Sequence, residues 1–357
     1  MFFYAFYKSV IEAILMDDYK KSPSVTVIVP VRNGEQTIQP LLESLQKLDY
    51  DRNKVEVIVV DGNSTDKTRE IVKEYPVNLV VEKRNGLNIA RNTGIKCSNG
   101  EIVAFTDSDC MVSQNWITKI VENFKDPKVG CVGGSTKALD NDFVSQYADN
   151  SIVRLMPFFR KREELEKVKP FFRHPAGCNM AFRRKVAEEV GYFDENIQYG
   201  FDEVEFADRV CMAGYKMVLD PEVSVWHKHR ATLGDFMKQN FQYGKGSGLV
   251  LKRNRLKDAV SRWAFLGLMG FISWLLIVGS LSFLTISSSS SIFQWLLFGF
   301  TGLPLIILAS VYVYRAVQNK QFARIVTYPF IDLFRTLSFC CGQVYQLFKR
   351  TRKVTDF

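Results

Sequence analysis

The sequence predicts an α/β fold, a doubly wound and mainly parallel sheet, followed by a C-terminal α-helical membrane region. Three observations carry this. Short apolar strands alternate with amphipathic helices from Val25 to Phe124, the pattern of a parallel sheet with helices on both faces. Polar residues gather just after those strands, at Arg32-Asn33-Gly34, at Asp61 and at Asp107-Ser108-Asp109, and open α/β sheets bind ligands at that edge. Residues Trp263 to Tyr314 hold no charged side chain.

The elements follow in order. Val25–Val29 is the first strand. Thr37–Leu48 carries Ile38, Leu41, Leu42, Leu45 and Leu48 on one helical face. Val55–Val60 is the second strand, and Ser64-Thr65-Asp66 offers caps for a helix reaching Tyr75. Val77–Val81 is a strand, Asn88–Lys96 a short helix, Ile102–Thr106 a strand and Asn115–Phe124 a helix. Val129–Gly134 reads as a further strand and Phe158–Lys169 as a solvated helix face. Val186–Val190 stops at Gly191, Val204–Met212 is helical, and Val223–Trp226 is strand-like.

Charge is unevenly placed. The 357 residues net +9, but residues 1–251 hold 34 Lys+Arg against 35 Asp+Glu, while residues 252–357 hold 13 against 3. The basic excess therefore flanks apolar segments and does not signal nucleic-acid binding. Trp263–Ile286 and Ile292–Tyr314 each exceed the ~20 residues that cross a bilayer as a helix. Basic groups flank the pair, at Lys252 to Arg262 and at Arg315 to Arg324, and the serine turn between them has none. The positive-inside rule then puts both flanks, and the large domain, in the cytoplasm. Ile325–Phe348 carries Asp332 and Arg335 between basic brackets and is read as a helix in the inner leaflet, with a third crossing as the alternative. Met1–Met16 is apolar and aromatic without a cleavage site, and reads as an interfacial helix. The expected layout is an interfacial helix over 1–22, a catalytic domain over 23–235 and a basic juxtamembrane segment over 236–262. Two crossings follow over 263–324, then an interfacial helix with a basic tail over 325–357. The seven cysteines show no C-x-x-C pair, which fits free thiols in a reducing compartment.

The Asp107-Ser108-Asp109 turn suits a hard divalent cation, because Mg²⁺ and Mn²⁺ take carboxylate and phosphate oxygens. No G-x-G-x-x-G and no Walker lysine follows the first strand.

Read together, these motifs resemble the family-2, GT-A-type nucleotide-diphospho-sugar glycosyltransferases. They are Val27–Asn33, Val59–Asp66, Arg84–Asn92, Asp107–Asp109, His174–Arg184 and Phe201–Phe206 with Arg209 and Gly214-Tyr215. The resemblance spans about residues 24–230. It implies an inverting glycosyltransferase using Mn²⁺ or Mg²⁺. The metal would sit on Asp109, Asp107 and His227. Pro30, Val31, Asn33, Glu35, Asp61, Asn63, Gly86, Arg91, Asp107 and Ser108 would surround the nucleotide sugar. Gly177, Asn179 and Arg209 would lie on the acceptor side. The family presents Glu-Asp at its base; this chain reads Asp202-Glu203, so alignment gives the role to Glu203 with Asp202 as the alternative. Plainer readings stand beside these: Asp61 as a helix cap, Arg91 paired with Glu82, Asp202 and Glu203 as N-caps, and His227 as a core histidine.

The expected partners are a UDP- or GDP-linked sugar, a lipid-linked acceptor and the plasma membrane. A hydroxyl acceptor needs a base, whereas a polyprenyl phosphate is already ionised. A nucleotidyltransferase lacks its Gly-rich signature here, a processive synthase lacks its Gln-x-x-Arg-Trp, and a non-catalytic scaffold would not need these carboxylates.

Overall fold

The computed structural model describes residues 22–349, apart from 153, 155, 170–172, 198–199, 231, 289 and 320–322. The expected N-terminal helix and basic tail lie outside the described residues. The chain runs β1 (Val25–Val31), α1 (Ile38–Leu45), β2 (Val55–Asp61), α2 (Thr68–Lys73), β3 (Asn78–Val81), α3 (Leu87–Cys97) and β4 (Ile102–Phe105). It continues through β5 (Cys110–Val112), α4 (Trp116–Asn123), β6 (Val129–Ala138), α5 (Phe143–Asn150), β7 (Glu163–Leu165), β8 (Met180–Arg183) and α6 (Arg184–Val190). Next come α7 (Asp202–Met212), β9 (Lys216–His227), α8 (Leu233–Asn254), α9 (Ala259–Ser287), α10 (Ser291–Asn319) and α11 (Ala323–Phe348).

The strands form one sheet in the order β3-β2-β1-β4-β8-β6-β9-β5, with β7 also on β9. The first four strands are parallel, as the alternation predicts, and β6 is parallel to β9. The second half departs from a purely parallel sheet. β8 inserts antiparallel between β4 and β6, and β5 and β7 lie antiparallel on β9. Phe158–Lys169 is therefore not a helix: Glu163–Leu165 pairs with Leu219–Met217, so its charges line a sheet edge. The strand expected to end at Gly134 runs on to Ala138, because a register shift at Gly134/Ser135 lets it follow β9 to His227.

Both faces of the sheet are covered. One core packs Val27, Val29, Leu41, Leu42, Trp116 and Ile120 between the sheet, α1 and α4. The other packs Ile28, Phe105, Phe182, Phe193 and Phe206 against α3, α6 and α7. Their burial on both sides explains the near-continuous apolar runs in β1 and β4.

α9 and α10 are long and apolar enough to cross a membrane, and among the described residues they are the two such helices. They are not core helices: Leu276, Ile286, Trp295 and Phe298 are each more than 60% exposed. α11 behaves differently. It packs along α8 at backbone distance, since a Cβ on Gly244 would lie 1.9 Å from the Phe339 carbonyl oxygen. Arg335 Nε donates to Asn240 Oδ1 at 3.0 Å and Gln343 Nε2 to Ser247 Oγ at 2.9 Å. Asp332 accepts hydrogen bonds from Tyr147 on α5 and Tyr312 on α10. These contacts account for Asp332 and Arg335 in α11.

Candidate active site

The site lies at the C-terminal edge of the parallel strands. Two loops there are laced together. Asn33, in the left-handed region at φ 54°, donates its N–H to Ser64 Oγ at 2.8 Å and accepts from the Thr65 N–H at 2.9 Å. Gly34 donates to Thr68 Oγ1 at 2.8 Å, and Glu35 accepts from the Lys67 N–H at 3.1 Å. Pro30 and Val31 form the end of β1 beside Val60 and Asp61. Asp61 is fully buried and accepts from the Ser64 N–H at 3.0 Å and from Arg69 Nε at 2.7 Å. Arg69 also reaches Asn63 Oδ1 at 3.0 Å. Asp61 does not cap α2, whose N-cap is Lys67. Sequence reasoning missed Arg69; its place in the first turn after Asp61 was the available signal.

Asp107, Ser108 and Asp109 form the turn from β4 into β5, closed by the Cys110 N–H on the Asp107 carbonyl at 3.1 Å. Ser108 packs beside Gly34. Because Cys110 pairs in register with His227, the imidazole is carried to the turn, with Nε2 3.4 Å from Asp109 Oδ1. Ligand atoms of Asp109, Cys110 and His227 all lie within 4.8 Å of one another. Asp107 Oδ1 and Asp109 Oδ1 are buried without a hydrogen bond, a costly state that a cation relieves. Burial pushes the Asp107 carboxyl up to about 6, with Arg91 pulling it down and Asp109 and Asp202 pushing it further up. Burial also lowers the His227 pKa, keeping the ring neutral as a ligand must be. Oxygen and imidazole donors of this kind fit Mn²⁺ or Mg²⁺. His227 is buried, and its Nδ1 has no hydrogen-bond partner among the described residues.

Joined to this turn through Arg91 stands the N-terminus of α7. Asp202 is 2% exposed, forms an ion pair with Arg91 Nη1 and accepts from the Gly200 N–H at 3.1 Å. Glu203 is less buried, and its pKa is raised well above the ordinary value, first by burial and then by Asp202. Arg91 does not pair with Glu82, which instead takes Arg84 and Thr93. Gly86 precedes α3, the helix that carries Arg91.

The expected acceptor-side residues separate. Gly177 lies directly over the Arg91 guanidinium. Asn179 is fully buried with its amide spent on Trp116 Nε1 and on the Ser135 and Val223 carbonyls, at 2.9, 3.0 and 3.0 Å. It ties strands together and leaves nothing for a ligand. Arg209 clamps the carbonyls of Val190, Gly191 and Tyr192 and pairs with Glu205. Its hydrogen bonds likewise go to the protein. An unexpected neighbour is Tyr243 of α8, whose ring packs on Gly200; burial first, then Glu203, raise its phenol pKa.

A mixed α/β sheet with an Asp-x-Asp turn at its strand ends and a buried Arg–Asp pair beside it is the frame of a group-transfer enzyme. The chain belongs to glycosyl transferase family 2, whose model matches residues 26–191. It is 30% identical over 260 residues to glycosyltransferase AglE of Haloferax volcanii, covering 69% of this chain and 82% of that protein. It is 23% identical over 275 residues to a dolichyl N-acetyl-alpha-D-glucosaminyl phosphate 3-beta-D-2,3-diacetamido-2,3-dideoxy-beta-D-glucuronosyltransferase of Methanococcus voltae, covering 73% and 84%. The fold matches mannosyltransferase PcManGT from Pyrobaculum calidifontis, solved with GDP-Man and Mn²⁺. The TM-score is 0.64 at 21% identity, over 92% of this chain and 88% of that one. The chain is a glycosyltransferase of the GT-A fold.

Proposed function

We propose that this enzyme transfers a sugar, with inversion, from a nucleotide-diphosphate donor to a hydroxyl acceptor on a lipid-linked glycan. The observation that carries the reading is the division of labour at α7: Asp202 is held in an ion pair with Arg91, while Glu203, hydrogen-bonded to Asp202, is a carboxyl of raised basicity. A base is needed when the nucleophile is a hydroxyl. Glu203 takes that proton as the hydroxyl attacks. Asp109, Asp107 and His227 would hold Mn²⁺ or Mg²⁺, which when bound offsets the charge of the leaving diphosphate. The laced loops around Asn33, Glu35, Asp61 and Asn63, with Pro30, Val31, Gly86 and Ser108 alongside, form the donor side. UDP or GDP fits this chemistry; the Pyrobaculum calidifontis neighbour was solved with GDP-Man and Mn²⁺.

The exposed apolar faces of α9 and α10 support two crossings of the plasma membrane. Basic flanks support a cytoplasmic catalytic domain. α11 lies at the interface: its exposed side carries Phe330, Phe334, Tyr345 and Phe348, and its other side is committed to α8. The Methanococcus voltae relative, named for a dolichyl-phosphate-linked substrate, favours a lipid-linked acceptor.

The test is transfer from labelled UDP- and GDP-sugars to lipid extracts by membranes carrying the enzyme. Label should enter lipid-linked glycan and be lost in Glu203→Gln. A sugar joined directly to lipid phosphate, formed equally by Glu203→Gln, would instead establish the polyprenyl-phosphate alternative.

A further inference from the structure

Arg91 sits where a donor-binding cation is expected, yet its surroundings say otherwise. The side chain is 3% exposed. Its guanidinium lies among Phe105 and Phe193, with ring centroids 5.7 and 5.5 Å away. Nη1 meets Asp202 Oδ2 and also donates to Asn88 Oδ1 at 3.3 Å. Nη2 stands 3.9 Å from Asp107 Oδ1. A Cβ on Gly177 would lie 2.2 Å from that same Nη2, so only glycine lets the overlying turn close on the guanidinium. Nε is buried without a hydrogen-bond partner among the described residues, so at 3% exposure the guanidinium offers little surface to a diphosphate.

Several groups around Arg91 hold the segment before α7. Asn88, one turn earlier on α3, donates to the Asp194 and Ile197 carbonyls at 3.0 and 2.7 Å. Asn92 donates to the Phe193 carbonyl at 2.8 Å. Asp202 itself holds the Gly200 N–H, and Phe201 between them is left-handed at φ 69°. α3 therefore grips the segment that delivers the carboxylate pair. In the order Asp-Glu the shorter acid ends in the buried ion pair, and the longer one lies beside it, hydrogen-bonded to Asp202.

We propose that Arg91 is a positioning residue for the catalytic carboxylate, acting through Asp202 and not through the nucleotide. The proposal rests on Glu203 being the base. A buried Arg–Asp pair costs more to break than to replace. Arg91→Met alone leaves Asp202 uncompensated and is expected to fold poorly. Arg91→Met/Asp202→Asn removes both charges and keeps the protein measurable. The full chain in detergent is titrated with UDP and with GDP in the presence of Mn²⁺. Turnover of the fastest sugar in a UDP- and GDP-hexose panel is then normalised to the nucleotide sites counted.

The expected result for the double variant is nucleotide affinity within ~3-fold of wild type and turnover per site reduced ~10-fold or more, a loss of kcat without loss of binding. Asp202→Asn alone leaves the buried Arg91 charge without its nearest partner and is expected to fold poorly, as Arg91→Met does. Because turnover is counted per binding site, a folding defect by itself leaves it at the wild-type value, and that value would overturn the proposal. So would a nucleotide Kd raised ~10-fold or more with turnover per site unimpaired, which would make Arg91 a donor ligand. If neither nucleotide binds the wild type, the reading of the whole site falls and takes this proposal with it. If Glu203→Gln retains turnover, Glu203 is not the base, and the proposal falls with that assignment while the nucleotide site stands.

Discussion

Asp109 and His227 meet across the β5–β9 pair, Oδ1 to Nε2 at 3.4 Å, although 118 positions separate them in the chain. The pairing of Cys110 with His227 sets this geometry. It turns two separate sequence signals into one candidate metal centre.

His227→Ala should therefore raise the Mn²⁺ concentration needed for half-maximal turnover. A loss of ~10–100-fold in metal affinity is expected, with activity recovered at high Mn²⁺. Metal titration of turnover checks this. An unchanged Mn²⁺ requirement would return His227 to the core.

Glu203→Gln should keep donor affinity and lower turnover by ~10²-fold or more. It should also change stability with a definite sign. The folded-state pKa of Glu203 is raised by burial, so its contribution to stability is present below the ordinary glutamate value and is lost as pH rises. The variant avoids that loss. It should melt above wild type at pH 8, with the difference closing toward pH 4. Thermal melts at the two pH values read this directly.

Gly244→Leu should loosen α11 from α8, because even a Cβ would lie 1.9 Å from the Phe339 carbonyl oxygen. Overpacking of this kind costs about 1–3 kcal/mol or more. A lower melting temperature in detergent is expected. Gly267→Leu, at a position with nothing within 4 Å of a Cβ, should melt like wild type.

A cysteine at Ser291, at the start of α10, should react with an impermeant thiol reagent in intact cells. The native exposed Cys97 should be protected until the cells are opened, provided Cys341 is replaced. Labelling of Cys97 from outside would reverse the membrane orientation.

The parallel half of the sheet was legible in the sequence because β1, β2 and β4 are apolar runs closed by polar groups. The Asp-x-Asp turn and His227 were legible for the same reason: they stand at strand ends. The short strands β5 and β7 were not legible, since three residues show no period and their pairing with β9 is long-range. The charges of Arg160 to Glu164 read as a solvated helix for that reason. Asn179 and Arg209 read as acceptor-side residues because they stand in dense motifs, but their hydrogen bonds turn inward to carbonyls that no motif reveals. The Arg91–Asp202 pair and the approach of Tyr243 to Gly200 depend on tertiary packing alone.

The most direct test of the account is calorimetric titration of UDP and GDP into the wild-type chain and into Asp109→Ala, each with Mn²⁺ and with EDTA. The account predicts that one nucleotide binds the wild type with Mn²⁺, and that binding weakens ~10-fold or more in EDTA and in Asp109→Ala. Equal affinity under all four conditions would contradict a metal-dependent nucleotide-sugar site at Asp107-Ser108-Asp109.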